Sequence, residues 1–137
     1  MKQSNTVKSF ITLLVTLISI AGIASAATKT LTSGSWTKKA ERISGTWEIV
    51  DDGKDVTLKL KNFKTESAPD LKLFFHKKSI GSLTSKKVKS GSKFLAKLKS
   101  NRGDQEYKLP KGLKLSDYKS IVIHCEQYTK LWGGANL

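Results

Sequence analysis

Apolar and polar residues alternate along much of this chain with the period of a β-strand. In residues 43–49, the apolar Ile43, Trp47 and Ile49 share one face, and polar or small residues fall between them. Residues 56–60 repeat the alternation after an Asp-Asp-Gly-Lys sequence that is typical of a turn. Two alternating runs around such a turn predict a β-hairpin.

Further short strands are predicted on the same grounds. They fall at residues 71–76, 94–99, 105–109 and 120–128, with a short terminal strand that the Gly133-Gly134 pair interrupts as a bulge. Frequent turn residues and the lack of a long amphipathic pattern predict an all-β, antiparallel sandwich or barrel.

Two segments do not follow the alternation. Residues 77–93 are mostly Lys, Ser and Gly, and they predict an exposed, mobile loop with one weak strand near residues 80–83. Residues 113–115 are predicted to be extended, and residues 116–118 to form a tight turn.

The first residues have the features of a secretory signal. Lys2 and Lys8 precede a largely apolar stretch at residues 10–23, and Ala24-Ser25-Ala26 fits the small-x-small cleavage pattern. This predicts a cleavable signal at residues 1–26, a single domain at residues 27–137, and a secreted or periplasmic location. The alternative is an uncleaved signal anchor, but 14 apolar residues are few beside the about 20 of a membrane-spanning helix.

The charge is strongly positive. The whole chain carries +14, and Lys2 and Lys8 lie in the predicted signal, which leaves 23 of 25 basic residues against all 11 acidic ones, a net +12. Such a charge favours contact with anionic surfaces. Only Arg42 and Arg102 are arginines, the residue type best suited to bidentate phosphate recognition, so no specific nucleic-acid partner is expected. The simplest interpretation is a domain coated in lysine.

The chain has one cysteine, Cys125, so it forms no internal disulfide. In an exported protein an odd cysteine indicates pairing with another molecule, a reactive thiol or ligation. On a strand, Cys125 shares a face with Ile121 and Ile123, whereas His124 points to the opposite face. We therefore expect the thiol to pack inward as a small hydrophobic group, which disfavours a disulfide-linked dimer and favours a monomer.

Catalytic motifs are weak. His76 and His124 are the only histidines, and the sequence has no nucleophile elbow and no metal-binding Cys-x-x-Cys pair. We do not expect a stand-alone enzyme. If Cys125 reacts or ligates, its partner must come from another strand or loop, and His76 and Tyr128 qualify by residue type alone.

Several motifs in order resemble the DM-thirteen domain, also called the electron-transfer DM domain. The resemblance covers about residues 33–137 and is carried by Ile43-Ser44-Gly45-Thr46, Leu60-Lys61-Asn62-Phe63-Lys64-Thr65, Ala68-Pro69-Asp70-Leu71, Gly103-Asp104-Gln105-Glu106-Tyr107-Lys108-Leu109-Pro110, Leu115-Ser116-Asp117-Tyr118, the strand from Ile121 to Cys125 and Gly134-Ala135-Asn136-Leu137.

The resemblance implies an antiparallel β-sandwich of about seven to ten short strands. It also implies electron transfer at a cell surface, with a redox partner protein in the cell envelope. The family's characteristic cysteine corresponds to Cys125, which would act as a bare thiol or hold a prosthetic group such as haem. Tyr128 and Trp132 fall at aromatic positions, but His124 stands where the family commonly has tryptophan. We interpret His124 as a solvated face residue rather than a ligand, and Trp132, like Trp47, as a core residue.

Overall fold

Two antiparallel sheets make up the computed structural model, which describes Gly22 and residues 26–137. The predicted signal therefore lies almost wholly outside the described residues. The nine strands of the described part are β1 (Lys29–Ser35), β2 (Thr37–Lys38), β3 (Ile43–Asp51), β4 (Val56–Thr65), β5 (Leu71–His76), β6 (Ser92–Lys97), β7 (Gln105–Lys108), β8 (Ser120–Cys125) and β9 (Lys130–Asn136). Within that part, no helix has the length and apolar character needed to cross a membrane.

The strands divide between the sheets in a way that confirms the β-sandwich. Sheet A has the order β1-β3-β4-β7, and sheet B has the order β2-β9-β8-β5-β6. The predicted hairpin is β3 and β4, which pair from Asp51 and Val56 outward. In its turn the Asp52 carboxylate accepts hydrogen bonds from the backbone N–H groups of Lys54 and Asp55, at 2.8 and 2.7 Å.

The main core lies between the two sheets. Alternate residues of each strand point into it, as the period of two predicts. Its members from both sheets are Ile43, Trp47, Ile49, Leu58, Leu60, Phe63, Leu71, Leu73, Phe75, Tyr107, Leu109, Ile121, Ile123, Cys125, Trp132 and Ala135. Trp47 and Trp132 are therefore core residues, as predicted.

Residues 77–93, which we call the cover, differ from their prediction. They form two 3-10 turns, Ile80–Ser82 and Ser85–Lys87, instead of a weak strand. Ile80, Leu83 and Val88 are buried against the outer face of sheet B, so the segment is not an exposed loop. Three apolar residues spaced among the lysines and serines point to one side, and they form a second core with Phe74, Val122 and Leu131. Sheet B is consequently buried on both faces, and sheet A on one.

Other boundaries also shift. The strand predicted at residues 120–128 ends at Cys125, because residues 126–129 make a turn. The tight turn predicted at residues 116–118 is a 3-10 turn at Leu115–Asp117, one residue earlier, and Lys114 before it is extended as predicted. The terminal strand does contain a bulge, but it lies at Trp132, between the pairs Ile123–Gly133 and His124–Leu131, and not at the glycine pair. Gly134 pairs regularly with Val122, and glycine is required there because a Cβ would collide with the Ile121 carbonyl oxygen.

The short edge strands β1 and β2 were not predicted. Residues 29–35 are mostly exposed, so the chain there lacks the apolar alternation that marks a half-buried strand. These residues take a strand conformation because they pair with β3, and Thr37 and Lys38 pair with β9 in the other sheet.

Candidate functional site around Cys125

Cys125 is the last residue of β8, and its thiol points into the main core. The residue has no solvent exposure and is unpaired. Ile121 and Ile123 share its face on the same strand, and Leu71 of β5 is its neighbour in register. The inward orientation predicted from the strand period is confirmed. On β9 the register neighbour of Cys125 is Lys130, so apolar side chains and one lysine lie next to the thiol on its face. Because Cys125 has no solvent exposure, a partner molecule reaches the sulfur only if this end of the sheet opens.

The end of the sheet next to Cys125 is closed by polar contacts. The Glu126 N–H donates to the Asp70 carbonyl oxygen at 3.2 Å, which ties the turn after β8 to the loop before β5. The Lys72 ammonium lies 3.4 Å from an Asp70 carboxylate oxygen and 2.5 Å from one of Glu126. The hydrogen bond to Glu126, followed by the charge of Asp70, raises the pKa of Lys72. This triad sits one residue from the thiol and holds the end of β8 in place.

Trp132 lies in the same core as Cys125 and connects the two sheets. Its indole Nε1–H donates a hydrogen bond of 2.9 Å to the Thr65 hydroxyl of sheet A. The Thr65 hydroxyl in turn donates to the Arg42 carbonyl oxygen at 2.8 Å. The Lys130 ammonium lies 5.4 Å from the centre of the Trp132 ring, within range of a cation–π contact. Trp132 is therefore fixed in orientation. Nothing in the sequence marked Thr65 as the acceptor for the Trp132 indole N–H.

His124 is fully buried, and its interpretation as a solvated face residue is wrong. Its ring points away from the thiol, under the cover, with the Phe74 ring centre 6.4 Å away in an edge-on arrangement. Neither ring nitrogen has a hydrogen-bond partner among the described residues. Burial lowers the pKa of His124, while the charge of Glu126 opposes that shift. His124 is therefore a neutral imidazole at pH 7.

The remaining predicted partners do not reach Cys125. His76 is buried on the outer face of sheet B, where both ring nitrogens are hydrogen bonded to the cover. Tyr128 lies in the turn after β8 with 60% of its surface exposed, whereas the thiol faces the core. The structure thus brings Trp132 into one cluster with Cys125, and it places His76 and His124 on the far side of sheet B.

The residues around Cys125 do not fit a haem. Cofactor sites are clefts of about 300–1,000 Å³ with an open approach. Neither Cys125 nor His124 lines any of the best-defined surface clefts in the described part of the chain. The described residues also hold no group of three or more His, Cys, Asp or Glu side chains placed to bind a metal ion.

The described residues form a small all-β sandwich domain with one buried cysteine at the end of the central strand β8. Residues 35–137 match the family described as Electron transfer DM13, and this chain belongs to that family. Neither the curated proteins nor the solved structures contain a match to it.

Proposed function

We propose that this chain is an exported electron-transfer domain whose redox group is the Cys125 thiol, and that it acts on a partner protein of the cell envelope. Membership of the electron-transfer family supports the class of function. The sequence offers no other cysteine. The position of Cys125 carries the assignment, because the thiol is sealed in the core but lies one residue from a surface turn.

The proposed step is a thiol–disulfide exchange. The Cys125 thiol loses its proton to solvent when the end of β8 opens, and the thiolate attacks a disulfide of the partner. One Cys125–partner S–S bond forms, the partner's S–S bond breaks, and the second partner sulfur leaves as a thiolate. Cys125 is oxidised and the partner sulfur is reduced, so electrons balance. The Lys72–Glu126 contact holds the turn after β8 from the outer face of sheet B, so its loss would ease this opening.

The test compares the wild-type protein with Cys125→Ala, both isolated from the native compartment under thiol-trapping conditions. Mass spectrometry would find a mixed disulfide at Cys125, and a Lys72→Met variant would react faster with a small disulfide probe than the wild type. Lys59→Met is the matched control, because Lys59 also pairs with a glutamate but lies on sheet A. A thiol that remains free and unreactive in native material, with unchanged electron transfer in Cys125→Ala, would falsify the proposal.

The export part of the proposal rests on residues 1–26. N-terminal sequencing of protein recovered outside the cytosol is expected to begin at Ala27. A chain that retains Met1 and remains with the membrane pellet after a carbonate wash would instead indicate the uncleaved anchor.

A second candidate function is docking on anionic cell-surface material through the cover. The cover has no acidic residue. It has six lysines, all of them exposed: Lys77, Lys78, Lys86, Lys87, Lys89 and Lys93. The ion pairs found among residues 26–137 all lie elsewhere. The positive charge is thus concentrated on one side of sheet B and is not neutralised there.

Sedimentation with anionic lipid vesicles tests this docking. Binding is expected to fall steeply as salt rises, because exposed charges are screened beyond about 8–10 Å at physiological ionic strength. Lys86→Gln with Lys87→Gln should weaken binding more than Lys64→Gln with Lys114→Gln, which removes the same charge from exposed positions outside the cover. If both double variants lose vesicle binding equally, binding depends on net charge alone, and the cover is not a dedicated docking surface.

A further inference from the structure

The cover is attached to sheet B by a small number of polar contacts around its apolar residues. Near its start, the Ser120 hydroxyl donates to the Lys78 carbonyl oxygen at 2.7 Å, and the Ile80 N–H donates to the Asn136 side chain at 2.9 Å. In its middle, the Ser85 hydroxyl accepts from the Leu131 N–H at 2.9 Å. The Lys39 ammonium donates to the Gly81 carbonyl oxygen at 3.5 Å, and His76 contacts the cover at the point where β5 enters it.

His76 contacts the cover at two places through its two ring nitrogens. Nδ1 accepts a hydrogen bond of 3.0 Å from the Lys78 N–H. Nε2 lies 3.3 Å from the Lys87 carbonyl oxygen, to which it donates. An imidazole makes both bonds only when it is neutral with its proton on Nε2, because a protonated Nδ1 has no lone pair for Lys78. The contact with Lys78 therefore exists in one protonation state of His76.

His124 makes the same face of sheet B sensitive to charge. The ring is sealed beneath the cover without a hydrogen-bond partner in the described part of the chain, and an unpaired charge there is costly. Glu126, in the turn after β8, favours the charged ring, whereas Lys89 of the cover opposes it. Lys72 is the register neighbour of His124 on β5, and its charge is paired with Asp70 and Glu126, while the register neighbour on β9 is the apolar Leu131. The nearby charges are therefore mixed in sign, and burial is the main obstacle to a charged ring.

The charged residues next to His76 in the chain or through a backbone contact are lysines. The cover contributes Lys77, Lys78 and Lys87, and Lys119 of the neighbouring connection donates its N–H to the His76 carbonyl oxygen. On β6 and β8 the register neighbours of His76 are the uncharged Ser92 and Ser120.

We propose that His76 and His124 form an acid-sensitive latch, which keeps the cover closed on sheet B while both rings are neutral and releases it when they are protonated. The sandwich between the two sheets remains folded, because its core contains neither histidine. Release exposes the apolar outer face of sheet B at Phe74, Val122 and Leu131 and frees the six lysines of the cover from their fixed arrangement. This inference is independent of the redox role of Cys125.

The direction of the pH dependence follows from the binding of protons to the two states. An open cover leaves His124 in water with an ordinary pKa of about 6.5, whereas the closed cover binds the proton less well. The closed state is therefore fully favoured above that value and is weakened as the pH falls below it. For His124 the ratio of closed to open molecules falls by up to about tenfold per pH unit.

Hydrogen–deuterium exchange read by mass spectrometry tests the latch on the protein from Ala27 onward. Peptides from residues 77–93 should lose protection between pH 7.5 and pH 5.5, after correction for the pH dependence of free-chain exchange. Peptides from β3 and β4 should keep theirs. A parallel loss in β3 and β4 would mean global acid unfolding and would overturn the proposal.

Variants identify the groups responsible. In the combined variant His76→Asn and His124→Phe, the introduced amide keeps an acceptor near Lys78 and neither position titrates, so protection of the cover should no longer depend on pH. The same pH dependence in this variant as in the wild type would overturn the latch. If the variant does not fold at pH 7.5, NMR titration of the wild-type rings decides: a His124 transition that coincides with loss of cover protection supports the latch, and protonation of both rings under a protected cover refutes it.

Discussion

Replacing Cys125 with serine should destabilise the domain more than replacing it with alanine. The side chain is fully buried, and its strand neighbours Ile121 and Ile123 are apolar. Alanine removes one sulfur atom, which costs about 1 kcal/mol in lost burial plus a small cavity. Serine also buries a hydroxyl with no partner on that face, which adds about 1–3 kcal/mol. We expect a total of about 1 kcal/mol for Cys125→Ala and about 2–4 kcal/mol for Cys125→Ser.

Urea unfolding followed by tryptophan fluorescence measures this difference, since Trp47 and Trp132 are both in the core. With a slope of about 1.5 kcal/mol per molar urea for a domain of this size, the two midpoints should lie about 1 M apart. Equal midpoints, or a serine variant as stable as the wild type, would show that the hydroxyl finds a polar partner. The argument that the thiol is sealed in apolar surroundings would then be wrong.

The expected difference in stability between Cys125→Ala and Cys125→Ser also decides which variant is suited to a redox assay. A serine variant that loses activity has also lost stability, so its defect does not separate chemistry from folding. Cys125→Ala removes the thiol at a smaller structural cost. The exchange test proposed above therefore depends on the alanine variant.

Three further predictions concern the scaffold. In urea titrations, Thr65→Val should lower the free energy of unfolding by about 1–3 kcal/mol, because it leaves the buried indole N–H of Trp132 without an acceptor. Thr57→Val is the control: Thr57 lies on the same strand and makes no side-chain hydrogen bond in the described part, so the change should be less than about 1 kcal/mol. Gly45→Ala should lower the free energy of unfolding by at least about 2 kcal/mol in the same titration, because Gly45 has φ +93° and a Cβ would collide with the backbone of the facing strand. A loss under about 0.5 kcal/mol would contradict this reasoning. A hydrogen bond from Lys108 lowers the pKa of Asp55 to about 2. The stability that the ionised Asp55 contributes is therefore present above pH 4 and is lost as the pH falls toward 2. NMR titration of the Asp55 carboxyl should give a midpoint near 2 in the wild type and a higher one in Lys108→Met.

The hairpin and the inward thiol were predictable because both follow from local rules. Alternation sets which residues share a face of a strand, and that rule placed Cys125 with Ile121 and Ile123. The rule also separated His124 from the thiol. These statements need no knowledge of what packs on either face, so they held in the folded chain.

The burial of His124 was not predicted, although the sequence contains a signal for it. Phe74 and Val122 are apolar at positions that alternation assigns to the outer face, and a strand buried on both faces has such an unbroken apolar run. Within the cover, Ile80, Leu83 and Val88 interrupt the lysines and serines at intervals that bring them to one side. Taken together, these features indicate a second buried layer, but each is weak without the other.

The amino-acid sequence by itself determined the all-β class, the β3–β4 hairpin and the face on which Cys125 lies, because side-chain alternation is a property of neighbouring residues. Only the tertiary structure decided that the cover folds onto sheet B, that His76 and His124 lie beneath it, and that Trp132 bonds to Thr65 across the core. Those outcomes depend on contacts between residues far apart in the chain, such as the 67 positions that separate Thr65 from Trp132. A local pattern carries no information about which distant surface will cover it.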